Sequence, residues 1–105
     1  PWLGVRFVML NEEIAKENNL KITQGALIAR GEQRTDLAVV PGSPADKAGL
    51  VENDVILEID GQKLTDSNSL EKIIAKYKPA EEISLKIFHK GEEKTISLKL
   101  GEFGE

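Results

Sequence analysis

Apolar residues recur at two spacings along this chain, and its elements can be read from where one spacing gives way to the other. Residues 3–10 place Leu3, Val5 and Phe7 on alternate positions, as a strand entered through Gly4 would. Asn11 is a good helix cap, and Glu12 and Glu13 suit a first turn, so a helix is expected to about Asn18 with Ile14 and Ala15 inward. Residues 25–30 carry Ala-Leu-Ile-Ala, apolar enough for a buried strand. A polar loop at 31–36 separates it from a short strand at 37–40.

The stretch from 41 to 61 is the densest in signals. Ser43 caps a helical turn opened by Pro44, Gly49 ends it, and Leu50 returns an apolar side chain to the core. Residues 55–60 alternate as a half-buried strand, and Asp60-Gly61 is a tight-turn pair. Four cap formers, Asp66-Ser67-Asn68-Ser69, precede Leu70, Ile73, Ile74 and Tyr77 at helical spacing, so a helix is expected over 67–77, stopped by Pro79. Ile83, Leu85 and Ile87 alternate with polar residues, as do Ile96, Leu98 and Leu100, around a Lys90-Gly91-Glu92 hairpin signal.

Composition narrows the function. At 105 residues the chain is read as a single domain over 1–105, able to bury one modest core without staples. It begins at Pro1, directly before a motif residue, which reads as a domain cut from a longer protein. A formal charge of −4, with lysines and arginines scattered among acids, argues against nucleic acid. With no cysteine and one histidine, a zinc site lacks ligands, and no cofactor or metal is expected. His89, the lone histidine, sits at the mouth of a predicted hairpin and reads as an exposed turn residue. No serine has a nucleophile-elbow context, so no catalytic residue is assigned.

The 41–61 string resembles the central segment of PDZ domains attached to bacterial HtrA/Deg-type serine proteases: Pro-Gly-Ser-Pro-Ala, Ala-Gly-Leu, Val-Ile-Leu and Asp-Gly. Asn53 stands where that pattern usually has glycine, a mild departure because Asn tolerates positive φ. The resemblance covers about residues 2–100. It implies an α+β fold: a small, partly open antiparallel barrel or sandwich of five to six strands, circularly permuted relative to animal PDZ domains, with two main helices. It also implies a peptide-binding regulatory module of a serine protease in the bacterial periplasm or cell envelope. Its partners would be the parent protease domain and C-terminal peptides of unfolded or cleaved proteins, and the isolated domain is expected to be monomeric.

Carried over residue by residue, Leu3, Gly4 and Val5 become the loop whose amides hold a peptide's free carboxylate. Leu3, Val5, Phe7 and Ile74 form the pocket for its last side chain. Ser67, Glu71 and Ile74 fall at i, i+4 and i+7 on the groove-facing stripe, and Leu70, Ile73 and Tyr77 on a core-facing one. Ser67 stands where many animal PDZ domains carry a histidine that reads Ser or Thr, so that specificity should be absent. Arg6 and Glu71 are either tuning charges or solvated ones, and Trp2 either meets the peptide or a neighbouring domain, or packs over the strand edge. A rival role, from another class, is a structural docking or spacer domain, or the PDZ domain of another envelope protease, without peptide capture of its own.

Overall fold

The computed structural model describes residues 2–33 and 35–101. Six strands form one antiparallel, open sheet: β1 (Phe7–Met9), β2 (Ala26–Ile28), β3 (Val55–Ile59), β4 (Gln62–Lys63), β5 (Glu82–His89) and β6 (Glu92–Lys99). Their order is β1-β2-β3-β5-β6, with β4 paired to β3. Three short helices accompany it: α1 (Glu12–Glu17), α2 (Pro44–Ala48) and α3 (Leu70–Ile74).

Local chemistry explains most of the element ends. Asn11 Oδ1 accepts from Ile14 N at 2.8 Å to start α1, and Ser43 Oγ accepts from Asp46 N at 3.2 Å to start α2. Gly49 closes α2 at φ 90°, and Asn53 sits at φ 77°, the conformation that glycine would otherwise supply. Asp60 and Gly61 both have positive φ, at 48° and 82°, and join β3 to β4 as a two-residue primed turn.

β2 and β3 are buried on both faces, so alternate residues serve different layers. Ala26, Ile28, Ile56 and Ile59 join the main core with Leu50, Leu70, Ile73, Leu85 and Leu98. Leu27 and Val55 face the other way with Leu10, beneath Ile14 and Leu20. A register shift between Ile56 and Glu58 kinks the β3–β5 pairing.

Three expectations are corrected in extent. The strand expected over 3–10 is regular only at Phe7–Met9, because Trp2 and Val5 each make an isolated bridge, to Gly101 and Val39. That Val5–Val39 bridge is all that remains of the strand expected at 37–40. The helix expected over 67–77 runs only from Leu70 to Ile74, since Ser69 rather than an earlier residue takes the cap. Ser67 and Asn68 instead belong to a turn in which Thr65 and Asn68 exchange backbone bonds at 3.1 Å. Arg34, in the polar loop, lies outside the described residues.

Candidate functional site

β1 is one end of the sheet, and its outer edge is open. Arg6 N donates to Ala38 O at 2.8 Å, Ala29 N to Arg6 O at 3.0 Å, and Leu10 N to Gly25 O at 2.8 Å. Every second residue is therefore turned toward β2, and by the alternation of an antiparallel ladder the main-chain groups of Val5, Phe7 and Met9 face away from it. An open groove of about 330 Å³ runs along this segment, lined by Trp2, Leu3, Gly4, Val5 and Phe7 on the strand side. Leu70, Glu71, Ile74 and Ala75 of the α3 segment line its other wall.

The loop that enters β1 is fixed through its carbonyls. Ala45 N donates to Leu3 O at 3.0 Å and Val40 N to Gly4 O at 2.9 Å. The amides of Leu3, Gly4 and Val5 have no acceptor among the described residues. Three successive donors left over beside a groove are what an anionic group requires. Gly4 cannot be replaced without strain: its φ is +91°, and a Cβ there would lie 2.2 Å from Ser43 Cβ. The cap of α2 is thus packed directly against this loop.

Glu71 is the single charged side chain lining the groove. The helix beside it is anchored from below, where Tyr77 Oη donates to Asp60 Oδ2 at 2.7 Å and Asp60 Oδ1 accepts from Ser84 N at 2.8 Å. The bond to Asp60, reinforced by burial and by the charges of Asp60 and Glu81, pushes the Tyr77 phenol up to about 12. One aspartate in the tight turn therefore ties the end of the α3 segment to β5.

Leu3, Gly4, Val5, Phe7, Glu71, Ile74 and Trp2 meet at this groove. Ser67 does not line it; its hydroxyl lies 3.3 Å from that of Thr65 and its carbonyl accepts from Lys72 Nζ. Arg6 points away from the groove, into an ion pair with Asp36 at 3.2 Å. Leu70, placed above on a core-facing stripe, is buried and also lines the groove, and Ala75 was not singled out at all. Both would follow from starting the helix at Leu70, which puts Ile74 and Ala75 one turn beyond Leu70 and Glu71. Trp2 packs beside the loop while its main chain exchanges bonds of 2.8 and 2.9 Å with Gly101.

His89 is not the exposed turn residue that its position suggested. Its side chain is 22% exposed and Nδ1 meets Oδ1 of Asp54, a buried carboxylate whose Oδ2 accepts from Val51 N at 3.2 Å. The pair pins the end of β5 to the turn before β3.

Comparison with known proteins matches residues 1–100 to the PDZ domain family model. A probable periplasmic serine endoprotease, DegP-like, of Marinomonas sp. (strain MWYL1) is 40% identical over 99 residues, which are 94% of this chain and 19% of that protein. A protein of the same description in Bartonella henselae is 36% identical over 104 residues, 99% of this chain and 19% of its own length. The chain thus spans about a fifth of these relatives, and their named periplasmic location agrees with the one expected above. Among solved structures, the HtrA-type protease AlgW with a decapeptide superposes with TM-score 0.77 at 30% identity, over 95% of this chain and 28% of that one. The HtrA3 PDZ domain bound to a phage-derived ligand (FGRWV) shares the fold, with TM-score 0.70 at 20% identity over 93% of this chain and 83% of that one.

Proposed function

The chain belongs to the PDZ domain family, and we propose that it is the peptide-binding regulatory module of an HtrA-like serine protease, capturing free C-termini that end in an apolar residue. The observation that carries this reading is the open edge of β1, three outward main-chain positions beside an apolar groove, entered through a glycine loop with unused amides. A peptide adds as an antiparallel strand along Val5, Phe7 and Met9, between β1 and α3. Its carboxylate takes the amides of Leu3, Gly4 and Val5, and its last side chain enters the space among Leu3, Val5, Phe7, Leu70 and Ile74. Similar proteins whose descriptions name a bound peptide support the reading by analogy.

The magnitudes suit reversible capture. Burying one apolar side chain is worth roughly 1.5–3 kcal/mol. A charge-assisted bond to the carboxylate adds a similar amount, about 1.5–3 kcal/mol. Ordering a flexible tail offsets part of the gain, leaving a dissociation constant near micromolar or weaker. The carboxylate faces no cation in the groove, so backbone donors alone carry its recognition.

Calorimetric titration with one apolar-ended peptide, as the free acid and as the C-terminal amide, tests the assignment. Amidation is expected to weaken binding at least tenfold, about 1.4 kcal/mol. Equal affinities would remove the carboxylate role from residues 3–5, and no binding to a library of C-termini would favour a spacer domain.

A further inference from the structure

We propose that the molecule carries a second groove, between β6 and α2, which takes an extended acidic segment of a partner polypeptide by main-chain pairing along the free edge of β6. β6 lies at the opposite end of the sheet from β1. Its bonding phase follows from Ser84, whose carbonyl accepts from Asp60 N at 2.8 Å and whose amide donates to Asp60 Oδ1 at 2.8 Å. With both groups turned toward the Asp60 turn, Ser84 makes no ladder bond to its partner Ser97, so the amide and carbonyl of Ser97 face outward. Leu100 N reaches back to Glu81 O at 2.9 Å, which sets Lys99 outward in the same phase. The next outward position, Gly101, is already paired with Trp2. This edge is thus in use at Gly101 and open at Lys99 and Ser97.

The space beside that edge is a groove of about 690 Å³ with an apolar lining from Pro44, Ala48, Leu98 and Leu100. Its only charged lining residues are Lys47 and Lys99, and neither forms an ion pair among the described residues. Two unpaired cations with no carboxylate facing them, on a chain of net charge −4, select an acidic segment with apolar residues interspersed. A second copy of the chain is a poor occupant, since pairing β6 with β6 brings lysines against lysines, a recognised way of keeping edges apart.

The test is a titration of the isotope-labelled 105-residue chain with acetyl-Glu-Val-Glu-Val-Glu-amide, followed amide by amide by NMR. Capped at both ends, this probe offers no free carboxylate, so its behaviour is separate from that of the β1 groove. Shifts and slowed exchange are expected at Ser97 and Lys99, with acetyl-Lys-Val-Lys-Val-Lys-amide at least tenfold weaker. Lys47→Glu with Lys99→Glu should weaken the acidic probe at least tenfold while the thermal midpoint stays within a few degrees. Shifts confined to residues 3–9, unchanged affinity in the double variant, or no saturable binding would overturn the proposal. So would a dimer formed through these amides, or binding more than tenfold tighter in a chain ending at Gly101, which would make the chain's own last residues the occupant.

Discussion

The stretch from 41 to 61 and the groove beside β1 are held in place by opposite means. In the first, each conformational demand is met within a few residues: Ser43 Oγ on Asp46 N, Gly49 at the end of α2, and Asn53 and Asp60-Gly61 at positive φ. In the second, each residue depends on a distant one: Gly4 on Ser43, Val5 on Val39, Trp2 on Gly101, and the α3 segment, through Tyr77, on Asp60. Locally satisfied residues make a scaffold that can be recognised. The binding surface is defined only once the scaffold has brought its parts together.

Substitutions can separate the two regions. The largest effect is expected in the scaffold: Ile56 is fully buried between Ala26 and Ile87, so Ile56→Ala should cost about 2–5 kcal/mol. Chemical denaturation would measure it, and affinity for a free-acid, apolar-ended peptide should stay within about twofold at temperatures where the variant is folded. Phe7→Ala sharpens the contrast from the other side. Phe7 is half-buried in the groove, so binding should fall at least tenfold, about 1.4 kcal/mol, with a smaller loss of stability than Ile56→Ala. If the two variants lost stability and affinity in the same proportion, the division would fail.

Gly4→Ala attacks the point where the regions touch. Positive φ and the collision with Ser43 Cβ should lower stability by about 1–3 kcal/mol and abolish peptide binding together. Adding Ser43→Gly removes the obstructing Cβ and should return part of the stability, measured by thermal unfolding, although the α2 cap is weakened.

The smallest effect concerns Tyr77→Phe, which removes the bond to Asp60 and should cost about 1 kcal/mol. Because the phenol is raised in the folded state, to about 12 against about 10 when unfolded, its stabilising contribution is present below pH 10 and lost as pH climbs toward 12. Thermal midpoints at pH 9 and 11 should show an extra fall in the parent chain that Tyr77→Phe lacks. Parallel curves would detach Tyr77 from the alkaline transition.

What was legible in the sequence follows the same division. Caps, glycine stops and tight turns are short-range chemistry, so α1, α2, the β3–β4 turn and the Lys90-Gly91 hairpin stand where their residues imply. The start of α3 was not legible, because four consecutive cap formers compete and the turn bonds of Thr65 and Asn68 decide among them. That displacement of three residues is what removes Ser67 from the groove and brings in Leu70. His89 was misread because its partner Asp54 lies 35 positions away and no spacing rule connects them. Leu3, Gly4 and Val5 have no distinctive local signature, and only the family resemblance pointed to them.

Trp2 lines both grooves. An indole shared between two cavities makes them thermodynamically linked: whatever placement one occupant prefers raises or lowers the affinity of the other. The linkage is reciprocal, so a strand on β6 that improves capture at β1 must itself be held more tightly, by the same factor, once a C-terminus is bound.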